Sequence, residues 1–179
     1  MSRRRIEIFL AVALARTLAN LPSARALESD GLIQENISTA KITADGAHYI
    51  VDILMLATDL EEMFLRTRKE HEDVDLNRPG ILELEIGKFV AGRVTMRDGR
   101  GADCVKKVEK AGEDPSNDEG VLVELSFDCS RADATYDATK LLTTQSPRAW
   151  QVVTIMRGGA RRQVMVNGES PPVAMVEAR

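Results

Sequence analysis

The two cysteines of the chain, Cys104 and Cys129, have the types and spacing for a covalent bond between side chains. Each lies in a run that alternates apolar and polar residues, 102–111 and 120–129. The segment 112–119 between the runs (GEDPSNDE) consists of turn and loop residues, so the two runs are predicted to form a hairpin. We therefore predict a disulfide that closes a loop of about 25 residues and contributes about 3.5 kcal/mol to stability.

The midpoint between the cysteines, at Ser116 and Asn117, sets the register of this hairpin. Because side chains alternate between the faces of a strand, one face is predicted to be apolar and to carry the disulfide. The predicted facing pairs are Cys104 with Cys129, Lys106 with Phe127, Val108 with Leu125, and Lys110 with Val123.

An acidic segment offers candidate metal ligands at Asp73, Asp75 and Asn77. Their oxygens occupy the first, third and fifth positions of an EF-hand calcium loop. The sixth position requires glycine for a sharp turn but is Arg78, and the twelfth requires a bidentate glutamate but is Leu84. We expect a loop between two helices that binds calcium weakly or not at all, with a calcium-responsive module as the alternative.

The two histidines point to little further chemistry. His71 stands among Glu70, Glu72 and Asp73, which together could hold a transition metal such as nickel, although a solvated surface is the simpler interpretation. His48 starts a predicted strand and has no identifiable nucleophile or carboxylate partner, so we interpret it as a surface residue. The sequence therefore predicts no catalytic residues.

Residues 1–26 have the pattern of an export signal. Three arginines at positions 3–5 precede the apolar stretch 8–15 (IFLAVALA), and residues 24–26 (ARA) have the small-x-small form found before a cleavage site. We predict a mature domain of residues 27–179 in the periplasm or outside the cell. A cytosolic N-terminal helix is the alternative, because charged residues interrupt and shorten the apolar stretch.

The charge of the chain argues against two classes of partner. Lysine and arginine number 24 and aspartate and glutamate 28, so the formal net charge is −4. The predicted signal carries five arginines and one glutamate, and its removal leaves −8. An acidic domain repels phosphate backbones and anionic lipid surfaces, so neither is an expected partner. No run after residue 26 approaches the ~18 uncharged apolar residues of a membrane-spanning helix.

Period-two patterns dominate the elements that must position these residues. They predict strands over 37–43, 48–56, 93–97, 135–142, 149–157 and 160–166, in addition to the cysteine hairpin. Asp52 is the one charged residue of strand 48–56, which we therefore expect to be buried on both faces. Trp150 is expected to pack in the core at the end of a sheet. The predicted turn at Gly158-Gly159 carries a basic tip that consists of Arg157, Arg161 and Arg162. We expect this tip to be solvated, with contact to an acidic partner or to lipid headgroups as the alternative.

Two helices are predicted between the second and third strands. The first begins with a capping box, in which Thr58 and Glu61 would satisfy free backbone amides. The second follows Pro79-Gly80, and its buried stripe consists of Leu82, Ile86, Phe89 and Val90. About eight strands with a two-helix insertion predict a mainly β fold, an Ig-like β-sandwich that forms one domain.

The order of these segments resembles a known extracytoplasmic domain. A long strand that ends in LATDL at residues 56–60, an Asp-x-Asp-x-Asn segment at 73–77, GADC at 101–104 and FDC at 127–129 are similar to the N-terminal domain of HupE/UreJ-type membrane proteins. The resemblance covers roughly residues 37–176. Members of that family look like nickel permeases associated with hydrogenase or urease. Their transport chemistry belongs to a membrane half that would follow this domain. For this chain it implies a role beside a membrane partner and no transport of its own.

Two classes of function follow from the sequence. The first is an exported, non-catalytic binding or accessory module that acts beside a membrane partner in metal handling. The second is a small periplasmic hydrolase or redox enzyme. We favour the first, because two histidines supply few candidate bases and cysteines locked in a hairpin are poor redox centres.

Overall fold

The computed structural model of the chain describes residues 35–67, 69 and 80–176. In this part of the chain, nine strands form two sheets and three helices accompany them, so the mainly β prediction is confirmed. The strands are β1 (Ile37–Asp45), β2 (His48–Leu56), β3 (Thr95–Arg97), β4 (Val105–Asp114), β5 (Asn117–Asp128), β6 (Thr135–Asp137), β7 (Trp150–Arg157), β8 (Ala160–Asn167) and β9 (Val173–Ala174). The helices are α1 (Ala57–Arg66), α2 (Ile81–Ala91) and α3 (Thr139–Gln145).

The larger sheet has six strands in the order β4-β5-β2-β1-β7-β8. Strands β1 and β7 are parallel, and the other neighbours are antiparallel. A parallel pair needs a long connection, and the chain between β2 and β7 supplies it with the helices, the cysteine hairpin and the short strands. The smaller sheet has the order β3-β6-β9.

One face of the larger sheet forms the core. In β2, Tyr49, Val51, Ile53 and Met55 are fully buried, as the period-two pattern requires. The alternate residues of β2 are only half-buried or exposed, so the prediction that this strand is buried on both faces is wrong. The helices and the smaller sheet cover the face that carries Tyr49, Val51, Ile53 and Met55. Their buried side chains join the same core: Leu60, Met63, Phe89, Val90, Met96, Tyr136, Leu141, Leu142 and Val173.

A buried polar chain ties the two sheets together. The Tyr136 hydroxyl of β6 donates to Gln151 Oε1 of β7 at 3.1 Å, and Gln151 Nε2 donates to Ser38 Oγ of β1 at 3.3 Å. Burial raises the pKa of Tyr136, and the hydrogen bond to Gln151 opposes that shift. All three side chains are satisfied inside the core, which keeps the cost of burying them low.

Helix α1 begins at Ala57, directly after β2, and its N-cap residue Leu56 makes no side-chain cap. The predicted capping box at Thr58 is therefore wrong. Instead, the buried carboxylate of Asp59 accepts hydrogen bonds from the Asn36 amide at 2.9 Å and from Gln145 Nε2 at 2.8 Å. These bonds connect α1 to α3 and to the start of β1.

Helix α2 packs closely on β4. A Cβ at Gly87 would lie 2.7 Å from Val108 Cγ1, so this glycine permits the close approach of the two elements. The predicted stripe is confirmed at Ile86, Phe89 and Val90, but Leu82 is 45% exposed. The helix ends where Lys106 Nζ of β4 donates to the Ala91 carbonyl and, at 2.9 Å, to the Val94 carbonyl.

The cysteine hairpin is confirmed, with a disulfide between Cys104 and Cys129. Its register is confirmed for Lys106 with Phe127 and Val108 with Leu125, but a β-bulge at residue 109 moves Lys110 opposite Glu124. The turn is also tighter than predicted, because β4 runs to Asp114 and β5 begins at Asn117.

Segment 135–142 was predicted as one strand, which is wrong. Strand β6 ends at Asp137, and the Asp137 carboxylate accepts the Thr139 amide at 2.8 Å, which turns the chain into α3. Trp150 also departs from its prediction, because it is 39% exposed. Across the described ranges, no helix has the length and apolar character needed to cross a membrane.

Candidate functional site

The sequence-predicted metal ligands Asp73, Asp75 and Asn77, and His71 beside them, lie outside the described residues. Within residues 35–67, 69 and 80–176, no three histidine, cysteine, aspartate or glutamate side chains come together as a metal site. Binding of calcium or nickel by the acidic segment therefore stays a prediction.

His48 does have a carboxylate partner, which corrects the sequence interpretation. Its Nδ1 lies 2.7 Å from Asp128 Oδ1, because the two residues face each other on β2 and β5. The sequence could not show this contact, since the partners are 80 residues apart. The nearest serine on this face, Ser126, donates its hydroxyl to Glu109 Oε1 at 2.7 Å. The pKa of Glu109 is lowered by hydrogen bonds from Lys107 and then from Ser126.

This cluster does not form a nucleophilic triad. A serine nucleophile needs its base within hydrogen-bond reach, and the base must be held by a third group. Here Asp128 orients His48, but the Ser126 hydroxyl is engaged by Glu109 and Ser126 is 6% exposed. The arrangement supports a surface ion pair when His48 is protonated.

The loops beside the disulfide are held by a carboxylate. Asp98 Oδ1 accepts the backbone amides of Arg100 at 2.9 Å and Ala102 at 3.0 Å, and Asp98 Oδ2 accepts the Ser130 hydroxyl. The Ser130 hydroxyl and then the Arg100 amide lower the pKa of Asp98. These bonds join the turn after β3 to the loop that follows Cys129.

That loop forms an open depression of about 490 Å³ lined by Arg131, Ala132, Asp133, Arg157 and Val176. Arg131 and Asp133 form a bidentate pair, with Nε to Oδ1 at 2.8 Å and Nη2 to Oδ2 at 2.9 Å. The hydrogen bonds from Arg131 lower the pKa of Asp133. The guanidinium is thereby fixed in direction, and within the described part of the chain its Nη1 group donates no hydrogen bond.

Arg157 forms the second cationic wall of the depression. Its Nη1 donates to the Ala132 carbonyl at 3.1 Å, and the Tyr49 hydroxyl donates to the same oxygen at 2.7 Å. Burial raises the pKa of Tyr49, and the Arg157 charge opposes that shift. Among the described residues, Arg157 is half-buried and has no carboxylate within ion-pair distance.

The predicted basic tip contained one of these two arginines. Arg157 lines the depression, whereas Arg162 donates to the Ala174 carbonyl and Arg161 is exposed. Arg131 carried no sequence signal, because the loop that contains it has no periodicity.

No protein-family model matches this chain, and no curated protein matches it either.

Proposed function

We propose that this chain is an exported, non-catalytic binding module that recognises an oxyanion group, a carboxylate or a phosphate, in the depression between Arg131 and Arg157. The observation that carries the proposal is Arg157, a half-buried cation whose hydrogen bond goes to a neutral carbonyl. A partly desolvated guanidinium gains most from an anion, and its planar donors match carboxylate and phosphate oxygens.

The surroundings of the depression support a ligand larger than a bare ion. Val176 is 42% exposed at the rim and Ala132 contributes a methyl group, so apolar atoms adjoin the two guanidinium groups. Small-molecule sites combine a few placed polar groups with apolar walls, although this depression is more open than most. An organic carboxylate or phosphate ester fits this combination.

The location of the module is part of the proposal. The export pattern of residues 1–26 and the resemblance to the HupE/UreJ domain support a role outside the cytoplasm, beside a membrane partner. A part in metal handling would depend on the segment at Asp73, Asp75 and Asn77. The alternative of a small hydrolase has one supporting observation, the pair of His48 and Asp128.

Binding is tested by nuclear magnetic resonance titration of the mature domain with inorganic phosphate and with propionate. We expect saturable shifts of the amides of residues 131–133 that weaken with added salt. Arg157→Gln should remove the shifts. Asp133→Asn should strengthen binding, because it removes the negative charge that competes for Arg131, while the asparagine oxygen can still accept a hydrogen bond that orients the guanidinium. Arg161→Gln is the matched control, since it removes an exposed arginine outside the depression.

Two results would contradict the proposal: no saturable shift with either anion, or equal losses for Arg157→Gln and Arg161→Gln. A second titration distinguishes a lipid headgroup from a dissolved anion as the source of the bound group. It uses phosphatidylcholine vesicles that contain or lack phosphatidylglycerol. Binding to the anionic vesicles that depends on Arg157 assigns a lipid headgroup. Binding of the free anions alone assigns a dissolved ligand. Turnover of ester substrates that depends on His48 would instead favour the hydrolase.

A further inference from the structure

The face of the larger sheet opposite the core, called here the open face, is not covered by the helices or the smaller sheet. The buried apolar side chains of β1, β2, β5 and β7 all point to the other face. The strand registers place the open-face residues in rows that cross all six strands. The rows therefore show which side chains adjoin each other on this surface.

Two neighbouring rows of the open face are mainly apolar, with Thr39 and Asn167 as their polar members. Trp150 is 39% exposed and Met165 is 59% exposed, and the apolar residues between them and β4 are half-buried. One row contains Met165, Val152, Thr39, Leu54 and Leu122, and ends at Gly112. The next contains Trp150 and Ile37 on β7 and β1, and Leu56 and the buried Gly120 on β2 and β5, with Asn167 at its β8 end. A contiguous apolar surface of this kind marks an interaction site.

The row next to these carries charged side chains, and their positions indicate which partner fits this surface. Lys41 of β1 stands opposite Asp52 of β2, at the centre of the six strands. Within the described part of the chain, neither side chain forms an ion pair at 4.0 Å or less. Asp52 is half-buried between Ile50 and Leu54, with Glu124 opposite it on β5, and burial raises its pKa against the opposing effect of Lys41. Both charges are therefore available to a second molecule.

We propose that two copies of this chain pack their open faces together about a two-fold axis that runs parallel to the strands between β1 and β2. Rotation about this axis exchanges the two halves of the sheet. Lys41 of each copy then faces Asp52 of the other, and Thr39 faces Leu54. At the margins the largest side chains face the smallest residues, with Trp150 opposite Gly120 and Met165 opposite Gly112.

The area and geometry fit a stable dimer. Six strands about 4.8 Å apart and about nine residues long at about 3.4 Å per residue give the open face roughly 800 Å². A standard interface buries about 800 Å² on each partner. Stacked sheets cross at about 30°, which displaces the marginal pairs more than the central ones, so Lys41 and Asp52 are the pairs that test the arrangement. Arg161 and Lys107 face each other at the edge, where both reach solvent.

The test uses charge reversal and sedimentation velocity. The wild type should sediment as a dimer, whereas Lys41→Glu and Asp52→Lys should each sediment as monomers. An equimolar mixture of the two variants should regain the dimer, because each new charge then faces its opposite across the interface. In each variant chain the side chains at positions 41 and 52 carry like charges, so recovery on mixing can come only from the contact between chains. Lys140→Glu, the same charge change on α3, should remain dimeric.

Tryptophan fluorescence gives an independent reading. Trp150 is the only tryptophan, so its emission should shift to shorter wavelengths in the dimer and return in the monomeric variants. Met165→Lys places a charge on an exposed side chain and should also give a monomer, which keeps the test decisive if a charge-reversal variant does not fold. A monomeric wild type, a dimeric Lys41→Glu variant or a mixture that stays monomeric would overturn the proposal.

Discussion

Single carboxylates organise the end of the sheet near the disulfide. Asp98 accepts three hydrogen bonds, and Asp133 holds Arg131 at the depression. Gly99 leaves room for the Asp133 carboxylate, because a Cβ at residue 99 would lie 2.2 Å from Asp133 Oδ2. The direction of the Arg131 guanidinium thus depends on a residue that bears no side chain.

The lowered pKa of Asp98 predicts a dependence of stability on pH. A carboxyl whose folded pKa lies below its ordinary 3.8 contributes stability above pH 3.8 and loses that contribution as the pH falls through the folded pKa. Asp98→Asn should therefore be less stable than the wild type near neutral pH, and the difference should shrink in acid. Urea unfolding at a series of pH values measures this. A difference that stays constant from pH 7 to acid would contradict the assigned role.

The acidic segment at Asp73, Asp75 and Asn77 yields a prediction from the sequence alone. Arg78 replaces the glycine of a calcium loop, so we expect calcium to bind weakly or not at all. Calorimetry on residues 27–179 decides this. A dissociation constant below about 10 μM, in the sensor range, that is lost in Asp73→Ala would make the chain a calcium-responsive module. Nickel is titrated in the same way, since His71 is the neighbouring imidazole.

At the scale of elements, the contact between α2 and β4 fixes the helix over the hairpin. Gly87 brings the helix axis close to the strand, and Lys106 closes the helix C-terminus from the strand side. Burial lowers the pKa of Lys106, so its ammonium is partly desolvated where it meets the carbonyl groups. The helix and the hairpin therefore stabilise each other.

Gly87→Ala should destabilise the protein by about 1–3 kcal/mol, because the new methyl group overlaps Val108 and the helix must move. Val108→Ala removes that methyl contact and leaves room. The double variant should thus be more stable than the sum of the two single changes predicts. Urea unfolding of the four proteins gives the coupling energy, and additive effects would show that the two residues do not clash.

For the whole molecule, the disulfide joins the end of β5 to the segment before β4, across 25 residues. Cys104→Ser together with Cys129→Ser should lower the free energy of unfolding by about 2–5 kcal/mol, because the unfolded chain regains its freedom. Thermal unfolding with and without reductant checks this. The reduced wild type should match the double variant, and an unchanged melting temperature would show that the bond is not structural.

Local patterns predicted a large share of the fold. The bounds of β2 agree with the predicted 48–56, and the Gly158-Gly159 turn lies between β7 and β8 as predicted. Helices α1 and α2 also occur where they were expected. The failures are at places where a distant contact decides the structure. Asp59 bonds to Gln145, 86 residues away, instead of forming part of a cap at its own helix start.

Period-two alternation and paired cysteines belong to the local sequence, so they determined the strands, the hairpin and the disulfide. Whether a strand has one buried face or two depends on what packs against it, and only the tertiary structure decided that β2 has one. The depression lined by Arg131 and Arg157 likewise required the loop after Cys129 to meet β7, and the central position of Lys41 and Asp52 required β1 to pair with β7. These contacts join segments that are far apart in the chain. The period of apolar residues within one segment cannot predict which distant segment it will contact.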